Sequence, residues 1–446
     1  MREGSLSAPT RHPLKWQDAE FTDEAKVMDE LERVFDLCHG CRRCFNLCDS
    51  FPRLFDMIDA SPSEELDGVD KADYWKVVDA CTLCDLCFMT KCPYVPPHEW
   101  DLDFPHLMLR ARAVQFKKGL SNKKQDKLGE MDANGPMGVK LSGLANWATK
   151  RDNGLTRKIM EKTHDVHHDA ALPQFSKQTC RDMARAQTLD VNADAPAAAR
   201  KAVIYASCFG EYNDPGIVLD TRAVLARNGI NAEIVYPECC GMPQLEQGDL
   251  ARVAGKAKSI ALALKPYVDD GFDIVVPVAS CALMLKFEWP LIESDDANVK
   301  ALSQATFDVT EYVVDIADKE GLAPGLQALE GGITAHIACH ARAQNMGRKA
   351  QELLKLIPDT DSKIIERCSG HGGSWGVTTE FFEIGMKVGA PVFRDAVKND
   401  SAYVVSECPL ARDQILQGME RKAASVEGPG KALRHPVQLL ARAYGL

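Results

Sequence analysis

Eight of the chain's sixteen cysteines lie within its first 92 residues as two tandem quartets, Cys38, Cys41, Cys44, Cys48 and then Cys81, Cys84, Cys87, Cys92. A stretch that must bring four thiolates onto one centre, twice, has little conformational freedom left. Each run spaces three cysteines by two residues, so one tight turn supplies three corners of a cubane, and the fourth cysteine reaches the neighbouring centre. The spacing predicts two [4Fe-4S] clusters with an exchanged ligand. Cys38, Cys41, Cys44 and Cys92 would hold the first, and Cys81, Cys84, Cys87 and Cys48 the second.

Pro93 follows Cys92, as the bacterial two-cluster ferredoxin pattern requires. Asp49 stands where that pattern has a proline after Cys48, and four residues rather than three separate Cys87 from Cys92. Neither departure changes which sulfurs can reach. Tetrahedral zinc is the alternative, but zinc ribbons seldom repeat three consecutive two-residue spacings in both halves.

At 446 residues the chain exceeds a single core and should form two to four units. A net charge of -11 gives no general affinity for nucleic acid. No apolar run approaches the ~18 residues that span a bilayer. Met1 to Trp16 lacks an apolar signal core, so a cytoplasmic location is expected. In a reducing compartment sixteen cysteines point to metal or redox chemistry rather than to disulfides.

The expected fold class is α+β and α/β: an N-terminal helical two-cluster ferredoxin domain, then a duplicated parallel α/β domain. Helical periodicity over Asp23 to Leu37 and Asp73 to Ala80 leads into Cys38 and Cys81. Ser61 to Asp70 reads as an acidic surface loop, and Pro93, Pro96, Pro97 and Pro105 as an extended surface exit. We place units at 1–109 (ferredoxin), 110–195 (basic helical linker), 196–325 (first repeat) and 326–446 (second repeat).

From Arg110 to Lys162 there are 13 Lys and Arg against 5 Asp and Glu. Leu141, Leu144, Ala145, Trp147 and Ala148 form a short apolar face beside Lys140, Lys150 and Arg151, the composition of an interfacial helix on an anionic leaflet. A solvated basic face and a dock for an acidic partner are the competing readings.

After the Ala-rich stretch Ala193 to Lys201, apolar runs at Ala202 to Ala206, Ala232 to Tyr236 and Asp273 to Ala279 alternate with amphipathic segments at Gly216 to Asn228 and Leu250 to Val268. The pattern recurs with strands at Ile333 to Ala338, Lys363 to Ile365 and Ala402 to Ser406. Cys208 to Cys339, Cys239 to Cys368 and Cys281 to Cys408 are 131, 129 and 127 residues apart, a nearly constant offset that marks a duplication.

These cysteines follow predicted strands, where open α/β sheets place their ligand sites. The first repeat supplies Cys208, Cys239, Cys240 and Cys281, enough for a third cluster. The second supplies Cys339, Cys368 and Cys408, with Ser369 in the place of Cys240, for a fourth. His371, three residues after Cys368, is a candidate fourth ligand, set against a histidine that only hydrogen-bonds behind the ligands. Cys180 is left over and is not expected to be a ligand.

A double ferredoxin followed by two cysteine-rich repeats resembles the C subunits of anaerobic glycerol-3-phosphate dehydrogenases and, more broadly, the heterodisulfide reductase B and glycolate oxidase iron–sulfur subunits. The resemblance is carried by Cys92-Pro-Tyr-Val-Pro-Pro-His98, Asp103-Phe-Pro-His-Leu-Met-Leu-Arg110, Cys239-Cys-Gly-Met-Pro243, Cys368-Ser-Gly370 with Trp375, and His435-Pro436. It implies an electron carrier that takes electrons from a flavoprotein dehydrogenase toward quinone at the membrane, peripheral to its cytoplasmic face. Relatives of the heterodisulfide reductase type use five cysteines per repeat. Here Met284 and Ala411 stand where the last would be, which weighs against disulfide reduction.

His164, His167 and His168 have no partner in a recognisable pattern and read as solvated. No dinucleotide or phosphate-loop motif is present, and Gly428-Pro-Gly430 precedes no convincing nucleotide-binding helix. Many clusters without a substrate site describe an electron-transfer subunit. The alternative is a heterodisulfide or quinone reductase with its catalytic cluster in the repeats.

Overall fold

In the computed structural model, residues 7–422 and 429–446 are described. The first residues of the N-terminal stretch and Gly428 lie outside them.

The N-terminal part is helical. Helix Glu24–Cys41 is capped by Asp23, whose carboxylate accepts the Lys26 N–H, and buries Val27, Leu31, Val34 and Phe35. Helices Ser50–Asp59, Tyr74–Ala80 and Phe104–Lys117 close around this stripe, with Phe35, Phe51, Phe104 and Tyr74 in mutual ring contact. The prolines after Cys92 run over the surface only in part: Pro97 is exposed, whereas Pro96 and Pro105 are buried. Tyr94 and Val95 are buried, and Pro105 lies in the first turn of Phe104–Lys117, where its missing N–H costs nothing. That helix also crosses position 110, so the change in composition there falls within one element.

Both repeats carry parallel sheets. Strands β1 (Ala202–Tyr205), β2 (Glu233–Val235), β3 (Asp273–Val276) and β4 (Thr306–Asp308) are ordered β2-β1-β3-β4. Strands β5 (Ile333–His336), β6 (Ser362–Ile365) and β7 (Tyr403–Ser406) are ordered β6-β5-β7. β1 and β5 are central in their sheets, flanked in each case by the next two strands of the repeat. β1, β5 and β7 are buried along their whole length; β1 is entirely apolar but for the Tyr205 hydroxyl, and the polar residues Thr334, His336 and Ser406 of β5 and β7 are hydrogen-bonded inside. β4 has no second-repeat counterpart among the described residues. Helix Pro436–Tyr444 returns from the C-terminus to pack on helix Pro215–Arg227 of the first repeat.

Candidate functional site: four sets of cysteines

The quartet turns are shaped by residues with left-handed backbones. Helix Glu24–Cys41 ends at Arg42 (φ 53°), whose N–H bonds the Cys38 carbonyl at 2.8 Å and turns the chain so that Cys44 comes back toward Cys38 and Cys41. In the second quartet Leu83 (φ 48°) and Asp85 (φ 63°) hold the loop, and the Leu83 N–H donates to Cys81 Sγ at 3.4 Å. Such backbones cost energy in non-glycine residues and concentrate at functional turns.

The charges acting on these sulfurs come mainly from cysteines of the same predicted set, with Cys44 also acting on Cys87 and Cys368 on Cys84. Burial pushes the Cys38 thiol up, and the neighbouring charges of Cys92, Cys44 and Cys41 push it further. Cys44 rises to about 12 by burial and then through Cys92 and Cys41. Cys48 is raised by burial and then by Cys84 and Cys81. Buried thiols that repel one another's charge form a poor site for free thiolates and a good one for a cation that deprotonates them. Among the described residues no three cysteine sulfurs lie within 4.8 Å of one another.

In the first repeat the strand ends converge as expected. Cys208 follows β1 in helix Ser207–Tyr212, and Cys281 follows β3 in helix Ala279–Leu283. Cys239 and Cys240 precede Gly241, whose φ of 87° opens helix Met242–Gln247. Cys239 Sγ lies 3.7 Å from Cys208 Sγ, and Cys240 Sγ 3.3 Å from Cys281 Sγ. Hydrogen bonding with Cys208 and Cys240 holds Cys239 well below the usual thiol range. After Cys281 the helix passes through a π-helical turn, Met284–Glu288, a distortion frequent at functional sites.

The second repeat places Cys339 at the start of helix Cys339–Ala343 after β5, Cys368 after β6, and Cys408 at the cap of helix Pro409–Glu420 after β7. The Gly370 N–H donates to Cys368 Sγ at 3.4 Å. Cys339 is raised by burial and by the charges of Cys84, Cys368 and Cys408. Cys180 is buried on helix Cys180–Ala186, pushed up to about 12 by burial and by Glu211, apart from every set.

Spatial order is not chain order. Helix Cys339–Ala343 packs against helix Leu86–Thr90, which carries Cys87, and against helix Ala279–Leu283, which carries Cys281. The second-repeat cysteines thus lie close both to the second quartet, through Cys339 and Cys84, and to the first repeat, through Cys408 and Cys281.

Several supporting residues escaped the sequence reading. Asp132, one of the five carboxylates of the basic segment, accepts the Cys239 N–H at 2.9 Å and the Tyr236 hydroxyl at 2.8 Å. Lys256 Nζ bonds Asp132 at 2.6 Å and Glu238 at 2.9 Å. Burial alone would raise Asp132, but these partners hold it below the usual carboxylate range. Trp289 Nε1 donates to the Cys240 carbonyl at 3.1 Å. Arg11 joins Asp85 at 2.7 Å, Asp103 at 2.9 Å and Glu288 at 3.1 Å, tying the second-quartet turn to the π-helical turn. Nothing in the sequence marked these residues, since Asp132 sits beside Glu130 and near Asp126 with no pattern of its own.

The histidine reading needs correction. His167 and His168 do have an acidic partner, Glu161, and donor atoms of the three lie within 4.8 Å of one another, while His164 pairs instead with Thr163. The basic segment is also less free than its composition suggests. Arg157 is fully buried and donates to the Thr149, His167, His168 and Ala170 carbonyls.

Comparison with known proteins agrees with this architecture. Residues 202–286 match the family model described as a cysteine-rich domain. Over 346 residues the chain is 24% identical to the C subunit of anaerobic glycerol-3-phosphate dehydrogenase of Escherichia coli strain K12, covering 77% of this chain and 82% of that one. It is 30% identical over 190 residues to lactate utilization protein A of Geobacillus sp. strain WCH70, covering 40% and 75%. The D subunit of dihydromethanophenazine:CoB--CoM heterodisulfide reductase of Methanosarcina acetivorans is 22% identical over 258 residues, covering 55% and 59%.

Proposed function

Because the chain belongs to the cysteine-rich family that includes the C subunit of anaerobic glycerol-3-phosphate dehydrogenase, a family of iron–sulfur electron-transfer proteins, we propose that it relays electrons between a partner flavoprotein dehydrogenase and a quinone or other redox acceptor. The observation that carries this reading is helix Cys339–Ala343, packed between the helices that bear Cys87 and Cys281. This packing supports a path that would run through the cysteine sets.

Cys38, Cys41, Cys44 and Cys92 would hold one [4Fe-4S] cluster, Cys48, Cys81, Cys84 and Cys87 a second, and Cys208, Cys239, Cys240 and Cys281 a third. Such clusters supply reversible one-electron storage. The chain's part is to exclude water from the sulfurs, fix their positions and set the surrounding charge. Arg11 and Asp132 brace the sites from outside, an arrangement that normally tunes metal affinity and potential.

The donor would dock beside the first set. Phe45, 55% exposed, projects there, with Arg43 and Lys91 close enough to lower the Cys44 thiol. On the basic segment, Leu144 is 61% and Trp147 58% exposed, among exposed Met137, Leu141, Leu155 and Ile159. This surface supports a peripheral contact with an anionic membrane. Among the described residues no helix is long and apolar enough to cross one.

The test is iron and acid-labile sulfide content, with EPR during dithionite titration of anaerobically purified protein. About twelve irons or more per chain, with a signal lost in Cys239→Ser, supports the relay through the repeats. About eight, with ferredoxin signals alone, confines it to the N-terminal part. Reduction of a disulfide by the isolated protein would replace the relay with the reductase reading.

A further inference from the structure

We propose that the second repeat holds a [4Fe-4S] cluster on Cys339, Cys368 and Cys408, with His371 Nε2 as its fourth ligand. The inference deepens the relay reading and rests on it.

The duplication leaves a defined gap. Cys339, Cys368 and Cys408 correspond to Cys208, Cys239 and Cys281, while Ser369 replaces Cys240. Three thiolates leave one corner of a cubane without a protein ligand. His371 is two residues beyond Ser369, and its Nε2 is buried with no hydrogen-bond partner among the described residues. A buried imidazole nitrogen left unpaired is costly unless something absent from the protein's own atoms meets it. His340, the other histidine beside a cysteine of this set, bonds Ser280 Oγ through Nδ1 at 2.9 Å, but its Nε2 is likewise buried without a partner among the described residues. A nitrogen coupling that survives in His371→Ala and is lost in His340→Ala would assign the ligand to His340 instead.

The loop that carries His371 is built to a fixed path. Gly370, Gly372 and Gly373 have φ of 77°, 56° and 63°. A Cβ at Gly370 would collide with the Gly385 carbonyl oxygen. Trp375 stacks on Phe381 with ring centroids 4.8 Å apart and closes the loop. The backbone is thereby held to one course, with His371 half-buried on it and its Nε2 out of reach of solvent.

Replacing a thiolate by a neutral imidazole removes a negative charge from the cluster, and histidine ligation is associated with higher potentials. Cys339, Cys368, Cys408 and His371 would thereby hold a one-electron carrier beside both the second quartet and the first-repeat set. No bond to substrate forms.

The test uses the full-length protein, anaerobically purified and carrying 15N-histidine. Pulsed EPR on the reduced protein should detect a directly bound nitrogen. His371→Ala should abolish that coupling and release about one iron per chain, converting one four-iron signal to a three-iron signal. His371→Cys should keep the iron, lose the nitrogen coupling and lower one potential, which separates ligation from folding. Ser369→Ala should retain the coupling. A nitrogen coupling that survives in His371→Ala, or none in the parent, overturns the assignment. If Cys368→Ser leaves iron content and every signal unchanged, the second repeat holds no cluster and the proposal fails. The relay reading then stands or falls separately, on the signals of the other three sets.

Discussion

Asp132 accepts the backbone N–H of Cys239 at 2.9 Å, so a carboxylate from the basic segment fixes the turn that presents two cysteines of the first repeat. Its other oxygen bonds Lys256 at 2.6 Å. Asp132→Ala would leave a buried N–H unpaired and Lys256 with Glu238 alone. Loss of such an outer partner typically lowers metal affinity 10- to 100-fold. The expected result is faster iron release to a chelator from the first repeat, with ferredoxin signals unchanged; equal release would show that Asp132 is not supporting the site.

Arg112 ties the N-terminal unit to the first repeat. Its guanidinium donates to the Val78 carbonyl at 3.1 Å and to that of Cys81, and to the Glu246 carbonyl at 2.9 Å. Hydrogen bonds from a charged donor contribute about 1.5–3 kcal/mol each when a partner is removed. Arg112→Ala should destabilise the protein by about 2–4 kcal/mol, since neighbouring losses are not additive. Chemical denaturation followed by near-UV circular dichroism measures this, and a loss under about 0.5 kcal/mol, the size of an ordinary surface substitution, would refute it.

The strands and cysteine turns were legible because their signals are local. The apolar runs at Ala202 and Ile333 became β1 and β5, and the cysteine quartets fell at the C-terminal ends of helices Glu24–Cys41 and Tyr74–Ala80 and on the tight turns that follow. β4 was missed because Thr306–Asp308 is three residues long and has no apolar run. The order of the cysteine sets in space was also hidden. It depends on close packing of Ala279, Ala338 and Ala341, small residues that let the helices bearing Cys281 and Cys339 approach, and alanines in a sequence do not name the partner they admit. Arg11 pairs with residues 74 to 277 positions away, beyond any local pattern.

Glu246 gives the fold a pH dependence. Burial between helix Met242–Gln247 and the loop at Ser374 raises its carboxyl to about 7, with Arg112 and Ser374 only partly offsetting the effect. The ordinary value is 4.5, so between about 4.5 and 7 the folded state keeps a proton that the unfolded state has lost. Stability should therefore fall as pH rises through this window and stay lower above it. Glu246→Gln should flatten that slope and gain up to about 3 kcal/mol over the parent at pH 8, with no gain at pH 4. Melting curves of both proteins from pH 4 to 8 decide it; parallel profiles would mean that Glu246 is not the group responsible.

The exposed apolar residues of the basic segment lead to the last prediction. Trp147 on helix Ser142–Thr149 and Leu155 and Ile159 on helix Gly154–His164 stand out from the surface, and these two helices pack together. Lys140, Lys150, Lys158 and Lys162 are exposed around them. Burying apolar side chains in a lipid interface gains about 25 cal/mol per Å², and each nearby lysine adds about 1 kcal/mol on an anionic surface. Vesicles containing phosphatidylglycerol should therefore bind the full-length protein more tightly than phosphatidylcholine vesicles, and binding should weaken with salt. Leu144→Ser with Trp147→Ser should reduce binding about tenfold or more, while iron content stays constant. Salt-insensitive binding, or binding unchanged in the double variant, would remove the membrane role and leave this face to a protein partner.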